Sequence, residues 1–150
     1  MYVCCIFKAK EWFEMSELNL TTSRIEGETP IAILHLSGHL HGDTENKLMS
    51  KVRQLHQEGI RHLLLDLTNV EILTSAGLRA IHNSFVLFTP RSDVAVINDH
   101  PDEPYKSPYF KLVCPNPNIY YVLNIAGFLQ NILIYNEVDE AIHSFAGQSI

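Results

Sequence analysis

The chain has 150 residues, of which 46% are apolar and 19% are charged, so its composition is that of one ordinary globular domain. A net charge of −6 argues against a nucleic-acid surface, which needs clustered lysine and arginine. No apolar run is long enough to cross a bilayer. Three cysteines, Cys4, Cys5 and Cys114, do not form a disulfide framework. We therefore expect a cytoplasmic protein, a monomer or weak dimer, with no nucleic-acid or membrane partner.

The first 17 residues differ in pattern from the rest and predict an N-terminal extension. Met15 is followed by the polar pair Ser16-Glu17 and would serve as the true start of the chain. The alternative is an extension that packs an apolar patch on the domain, and both interpretations stay open. Residues 18–150 then form one domain.

A hairpin and a helix open the predicted domain. Residues 18–25 alternate loosely and end at a turn signal, and residues 31–36 resume as a strand. Asp43-Thr44 is an N-cap signal for a helix that ends at Gly59. Its apolar positions recur at helical spacing: Leu48, Val52 and Leu55.

Three strand–helix units follow. Residues 61–67 form an apolar run without alternation, typical of a central strand covered on both faces. A polar connector through Asn69 leads to an amphipathic helix from Ser75 to Phe88. The later units are strands at 109–114 and 132–135, with helices after Pro115-Asn116-Pro117-Asn118 and from Val138 to Phe145.

Residues 91–108 form an insertion between the first and second of these units, rich in Asp, Pro, Asn and Ser. We expect a long surface loop there, or a short extra strand at Val94–Ile97 followed by a loop. Repeated strand–helix units imply right-handed crossovers. The fold class is therefore α/β, with a mixed, mostly parallel sheet of about five strands and about four helices.

Ser75 stands where a buried strand gives way to a helix. Its hydroxyl lies beside the unpaired N–H groups and the positive dipole end of that helix. Such a hydroxyl can be an N-cap that contributes about 1 kcal/mol. It can also carry a phosphate that the backbone amides would hold. The residues alone leave both interpretations open.

Three stretches resemble the STAS domain of bacterial anti-anti-sigma factors, also called anti-sigma factor antagonists. Residues 36–44, LSGHLHGDT, are similar to the family segment G-x-L-D-x-x-T. Residues 65–78, LDLTNVEILTSAGL, look like the motif that carries the family's D-S-[STA]-G-L. Residues 122–128 with Asp139-Glu140-Ala141 resemble the closing pattern. The resemblance covers about residues 18–145 and implies the STAS fold.

The resemblance implies a phosphorylation switch in transcription regulation. The matching serine of the family is phosphorylated by a partner kinase that is itself the anti-sigma factor, and here that position is Ser75. The unphosphorylated domain would bind the kinase, which would then release the sigma factor. The phosphorylated domain would dissociate from the kinase. The implied partner surface consists of His41, Asp43, Thr74, Ser75, Ala76, Gly77, Leu78 and Arg79.

Two positions depart from the family pattern. Thr74 occupies the position where the family has an acid before the phosphorylated serine. His41 occupies the position of the aspartate in the first motif, and Asp43 follows two residues later. The loss of both carboxylates changes the charge that a kinase would meet. An alternative function is therefore a STAS scaffold or sensor that binds a small ligand or a protein without phosphorylation.

Two other kinds of site, a metal centre and a catalytic site, have little support in the sequence. His35, His39 and His41 recur at even spacing, so a zinc site of His39, His41 and Asp43 is a weak hypothesis. We expect no metal and no cofactor, because no P-loop, dinucleotide fingerprint or HExxH motif occurs. Ser75 lacks the G-x-S-x-G elbow, and His82 is two helical turns away. We therefore expect no catalytic residue and no enzyme activity.

Overall fold

A five-stranded sheet forms the centre of the domain. The protein is described here from a computed structural model, which places residues 18–27, 29–100, 102 and 105–146, apart from the side chain of residue 146. The N-terminal extension predicted for residues 1–17 lies outside these described residues. The strands are β1 (Leu18–Ile25), β2 (Ile31–Leu40), β3 (His62–Leu73), β4 (Phe110–Val113) and β5 (Leu133–Tyr135).

The strands lie in the order β1-β2-β3-β4-β5. β1 pairs with β2 in antiparallel orientation, which confirms the predicted hairpin, and every other pair is parallel. Parallel neighbours need crossover connections, and a helix occupies each of them. The helices are α1 (Glu45–Gln57), α2 (Ser75–Phe88), α3 (Arg91–Asp99), α4 (Pro117–Ile125) and α5 (Val138–Ala146), with a 3₁₀ turn at Phe128–Gln130.

The two faces of the sheet bury two apolar clusters. On one face, which we call the front, leucines 63, 65 and 67 of β3 pack with the apolar stripes of α1, α2 and α4. On the other, the back face, Leu64 packs with Ala141 and Phe145 of α5. Successive residues of a strand point to opposite faces, so β3 is covered on both. This arrangement confirms the α/β fold class and the central place predicted for β3.

The first part of the insertion, Arg91–Asp99, forms the helix α3. We expected either a surface loop or a short strand there, and both predictions are wrong. α3 follows Pro90, whose carbonyl accepts the first helical hydrogen bonds from the N–H groups of Asp93 and Val94, at 3.0 and 3.1 Å. The run Val94–Ile97 is rich in β-branched residues and therefore resembles a strand. It does not join the sheet, and α3 buries none of its residues. With α3, the described part of the chain has five α-helices.

β3 is longer than predicted. The residues interpreted as a polar connector through Asn69 continue the strand to Leu73. They do so because β2 also extends, to Leu40, and supplies backbone partners, with Ser37 opposite Asn69 and Leu40 opposite Leu73. Backbone pairing does not require apolar side chains, so Thr68 and Asn69 stay exposed within the strand.

Candidate docking site

Ser75 is the first residue of α2, and Thr74 is its N-cap. Thr74 has extended backbone angles, and its carbonyl accepts the first helical bond, from the Leu78 N–H at 2.9 Å. Ser75 is therefore not the N-cap, so that interpretation is wrong. Its side chain is exposed, and no described residue makes a hydrogen bond with its hydroxyl. The hydroxyl is accessible at the end of the helix where backbone amides lack intrahelical partners.

Gly77 brings the first turn of α2 against the end of β2. A Cβ atom at position 77 would lie 2.5 Å from the Leu40 carbonyl oxygen and 2.9 Å from the Leu40 Cγ. Such distances are too short for any side chain. The same Leu40 carbonyl accepts a hydrogen bond from the Thr74 N–H at 3.1 Å. Gly77 therefore sets the position of Ser75 relative to the loop that follows β2.

That loop, residues 41–44, is organised by Thr44. The Thr44 hydroxyl donates to the His39 carbonyl at 2.8 Å and accepts from the His41 N–H at 3.1 Å. The Asp43 N–H donates to Nδ1 of His41 at 3.2 Å, which orients the imidazole. Thr44 is buried, whereas Asp43 is exposed. The loop lies beside α2, because a Cβ on Gly42 would be 4.0 Å from the Ala76 Cβ.

An ion pair joins α2 to α1 next to the loop. Nε and Nη2 of Arg79 lie 3.2 and 3.3 Å from the two carboxylate oxygens of Glu45. Arg79 remains largely exposed, with 64% of its side-chain surface accessible. Leu78 is half-buried and packs against the front core.

The structure thus brings all eight predicted partner-binding residues to one end of the sheet. We call this surface the Ser75 patch; it consists of His41, Asp43 and residues 74–79. The residues of the patch differ in their exposure to solvent. Ser75, Asp43 and Arg79 are exposed, whereas Gly77 is buried and supports the others. Sequence reasoning missed Ile72, which is 45% exposed beside the patch and lies opposite His39 in the sheet. Its neighbours in the chain are Glu71 and Leu73, so the sequence carried no signal that this isoleucine is exposed.

The hypothetical zinc site is not formed. Irregularities in the pairing of β2 with β3, between His35 and Ser37 and between Gly38 and His39, break the even alternation on which the hypothesis depended. His39 instead lies 3.4 Å from a carboxylate oxygen of Glu71. Within the described part of the chain, no group of three or more His, Cys, Asp or Glu side chains could hold a metal ion.

Comparison with known protein families identifies the domain. The model of the STAS domain family matches residues 22–97, which is half of the chain and includes the whole Ser75 patch. The chain belongs to the STAS domain family. For this STAS domain, a search of curated protein sequences finds no significant match.

Solved structures share the fold of this STAS domain at low sequence identity. An anti-sigma factor antagonist from Mycobacterium paratuberculosis is 17% identical, with a TM-score of 0.65 over 85% of this chain and 95% of that one. Phosphorylated SpoIIAA, a Bacillus cell fate determinant, is 14% identical, with a TM-score of 0.54 over 82% and 97%. Unphosphorylated SpoIIAA is 11% identical, with a TM-score of 0.55 over 85% and 99%. At these identities the similarity establishes the fold.

No helix in the described part of this STAS domain is both long enough and apolar enough to span a membrane.

Proposed function

We propose that this STAS domain is a regulator of the anti-sigma factor antagonist type, which binds an anti-sigma kinase through the Ser75 patch. Phosphorylation of Ser75 then releases the kinase, which is free to bind its sigma factor again. The observation that carries the proposal is the exposed Ser75 hydroxyl at the first position of α2, in the middle of the patch. Ser75 acts as a phosphate acceptor in this account and not as a nucleophile that turns over a substrate.

The folded domain can accommodate a phosphate at Ser75. The amides of the first turn of α2 and the positive end of its dipole favour an anion there. Arg79 and Glu45 already neutralise each other at the surface beside Ser75. A phosphate adds about −2 charge at pH 7 and three acceptor oxygens. In a contact with an acidic or apolar partner surface, that charge would oppose binding without unfolding the domain.

Phosphorylation is tested by incubating the full chain with ATP and an anti-sigma kinase of the histidine-kinase-like ATPase type. We expect one phosphate, located on Ser75 by mass spectrometry, and no labelling of Ser75→Ala. Ser92→Ala is the matched control, because Ser92 is an exposed serine at the start of another helix. Its labelling should equal that of the wild type. Equal labelling of the wild type and Ser75→Ala would refute the phosphorylation switch.

A second candidate function is binding without phosphorylation. The specific observation in its favour is the composition of the patch, where Thr74 and His41 replace the two acids of the family pattern. A kinase that recognises carboxylates beside its target serine would lose both contacts. The domain would then be a scaffold or sensor with the same surface.

Measurements of partner binding and of Ser75 labelling together distinguish the two functions. The switch requires both binding to the kinase and labelling of Ser75. The scaffold requires binding to the partner with no label after prolonged incubation with ATP. Thr74→Asp restores one family acid, and an increase in its labelling rate would show that the missing carboxylate limits phosphorylation.

A further inference from the structure

Three side chains on neighbouring strands form a serine–histidine–aspartate arrangement away from the Ser75 patch. Ser23 lies on β1, His35 on β2 and Asp66 on β3. The Ser23 Oγ is 3.2 Å from Nε2 of His35, and Nδ1 of His35 is 2.8 Å from Oδ2 of Asp66. All three lie on the back face of the sheet, since His35 and Asp66 follow Ile33 and Leu64 by two residues.

The aspartate is held in place by its own strand. Asp66 is only 8% exposed, and its Oδ1 accepts hydrogen bonds from the N–H and the hydroxyl of Thr68, at 3.0 and 2.5 Å. Oδ2 is thereby directed at His35, its cross-strand partner in the parallel pair. A carboxylate only accepts hydrogen bonds, so Nδ1 of His35 carries the proton.

The imidazole is therefore in the tautomer that activates a hydroxyl. With the proton on Nδ1, Nε2 has a free lone pair, and the Ser23 hydroxyl donates to it. A hydroxyl beside a base that a third group orients is the arrangement that defines an activated nucleophile. Sequence reasoning missed it because the three residues are far apart in the chain and meet only through the pairing of the strands.

We propose that Ser23 is a nucleophile that accepts an acyl group from small activated carboxylic esters. The Ser23 Oγ attacks the ester carbonyl carbon while its proton moves to Nε2 of His35. The bond from that carbon to the leaving oxygen breaks, and His35 gives the proton to the departing alcohol. Water, deprotonated by His35, then attacks the acyl-serine, which releases a carboxylic acid and restores the Ser23 hydroxyl.

The surroundings of Ser23 favour a short acyl group. Ser23 is exposed on β1, an edge strand, so an ester can approach from solvent. Ile33 lies directly opposite Ser23 in the hairpin but is only 4% exposed, whereas Ile25, two residues further along the same face, is partly exposed. An acetyl group on Ser23 would therefore contact the Ile25 side chain, with its leaving group directed to solvent.

The test uses the full chain with p-nitrophenyl acetate and, separately, with a fluorophosphonate probe. We expect a p-nitrophenolate burst of about one equivalent and an adduct on Ser23 found by peptide mass spectrometry. His35→Gln should slow formation of the Ser23 adduct about 100-fold, the contribution of a positioned general base. Ser23→Ala should lose the burst, whereas Ser92→Ala should keep it.

Asp66→Asn provides a second variant, since it keeps the shape of the side chain but no longer fixes the histidine tautomer. We expect slower adduct formation in this variant while circular dichroism shows an unchanged fold. No adduct on Ser23 in the wild type, or an equal rate in the wild type and His35→Gln, would overturn the proposal. None of these outcomes depends on the kinase or on Ser75, so this proposal and the proposed function can fail separately.

Discussion

Gly77 has no room for a side chain. A methyl group there would meet the backbone oxygen of Leu40 at 2.5 Å and the Leu73 Cδ1 at 2.8 Å. The backbone oxygen cannot move without separating α2 from β2. We expect Gly77→Ala to lower the free energy of unfolding by about 1–3 kcal/mol, the usual cost of overpacking. Urea denaturation measures this change.

Gly42→Ala is the matched control for Gly77→Ala. Its added methyl group would make only an ordinary contact with Ala76, at 4.0 Å, and Gly42 does not have a positive φ angle. We expect its free energy of unfolding to stay within about 0.5 kcal/mol of the wild type. Equal destabilisation by both substitutions would contradict the close approach of α2 to β2.

Lys111 makes the stability of the domain depend on pH. Its side chain is fully buried on β4, and desolvation lowers the pKa of its ammonium group from 10.5 to about 8. Its Nζ donates to the Ser144 hydroxyl at 2.8 Å and lies 4.5 Å from the centre of the Phe145 ring. The charged form is therefore less favourable in the folded state than in the unfolded chain.

The sign of the pH effect follows from proton binding. Between about pH 8 and 10.5 the unfolded chain holds a proton on Lys111 that the folded protein has released, so the free energy of unfolding rises with pH. Below this window both states are protonated, and the contribution stays constant. Across the window we expect the wild type to gain about 1–3 kcal/mol relative to Lys111→Met. Denaturant titrations at pH 7.5 and pH 10 that show a constant difference would contradict this.

At the scale of elements, the Arg79–Glu45 pair connects α2 to α1 within the proposed docking surface. Exposed ion pairs contribute about 0–1 kcal/mol to stability, so its main effect would be on binding. We expect Arg79→Ala to change the free energy of unfolding by less than about 1 kcal/mol. Affinity for the anti-sigma kinase should fall at least about tenfold, as measured by calorimetric titration.

Arg24→Ala is the control for this prediction. Arg24 also makes an exposed ion pair, with Glu58, which joins β1 to the residue after α1. Its removal should have a similar small effect on stability and none on binding. A loss of affinity in both variants would point to general charge attraction, and unchanged affinity in Arg79→Ala would exclude Arg79 from the interface.

Elements whose apolar pattern matched their environment were predictable from the sequence. α2 begins and ends as predicted, at Ser75 and Phe88, because its buried residues recur at helical spacing. The prediction for the residues of α3 was wrong because its valines are exposed and do not form an apolar stripe that faces a core. The predicted end of β3 was wrong because backbone pairing with β2 determines where the strand ends. This pairing does not depend on the side chains of Thr68 and Asn69.

The residues of the Ser75 patch could be predicted from the sequence, but the contacts between its elements could not. The Ser75 patch could be identified because a local motif carries it, and its parts lie next to one another at the ends of β2 and β3. The sequence shows that residue 77 is a glycine. It does not predict the close contact of Gly77 with Leu40, because that contact depends on how α2 packs against β2. The group of Ser23, His35 and Asp66 could not be predicted for the same reason. It depends on the register of three strands.

At the scale of the whole molecule, stability should be uneven along the chain. α2 buries six of its residues, including Ala80, Ile81 and Phe85, whereas α3 buries none. Elements with few buried contacts open with a smaller free energy. We expect the amides of α3 to exchange hydrogen at least about tenfold faster than those of α2 and β3. Native-state hydrogen exchange followed by mass spectrometry measures this, and equal protection of α3 and α2 would contradict it.

In the proposed function, the Ser75 patch binds an anti-sigma kinase and negative charge at Ser75 opposes this binding. The most direct test is calorimetric titration of the kinase with the wild-type chain, Ser75→Asp and Ser75→Ala. We predict that Ser75→Ala binds like the wild type and that Ser75→Asp binds at least about tenfold more weakly, with the same unfolding midpoint. Equal affinity of Ser75→Asp and the wild type, or no binding by the wild type, would contradict the claim.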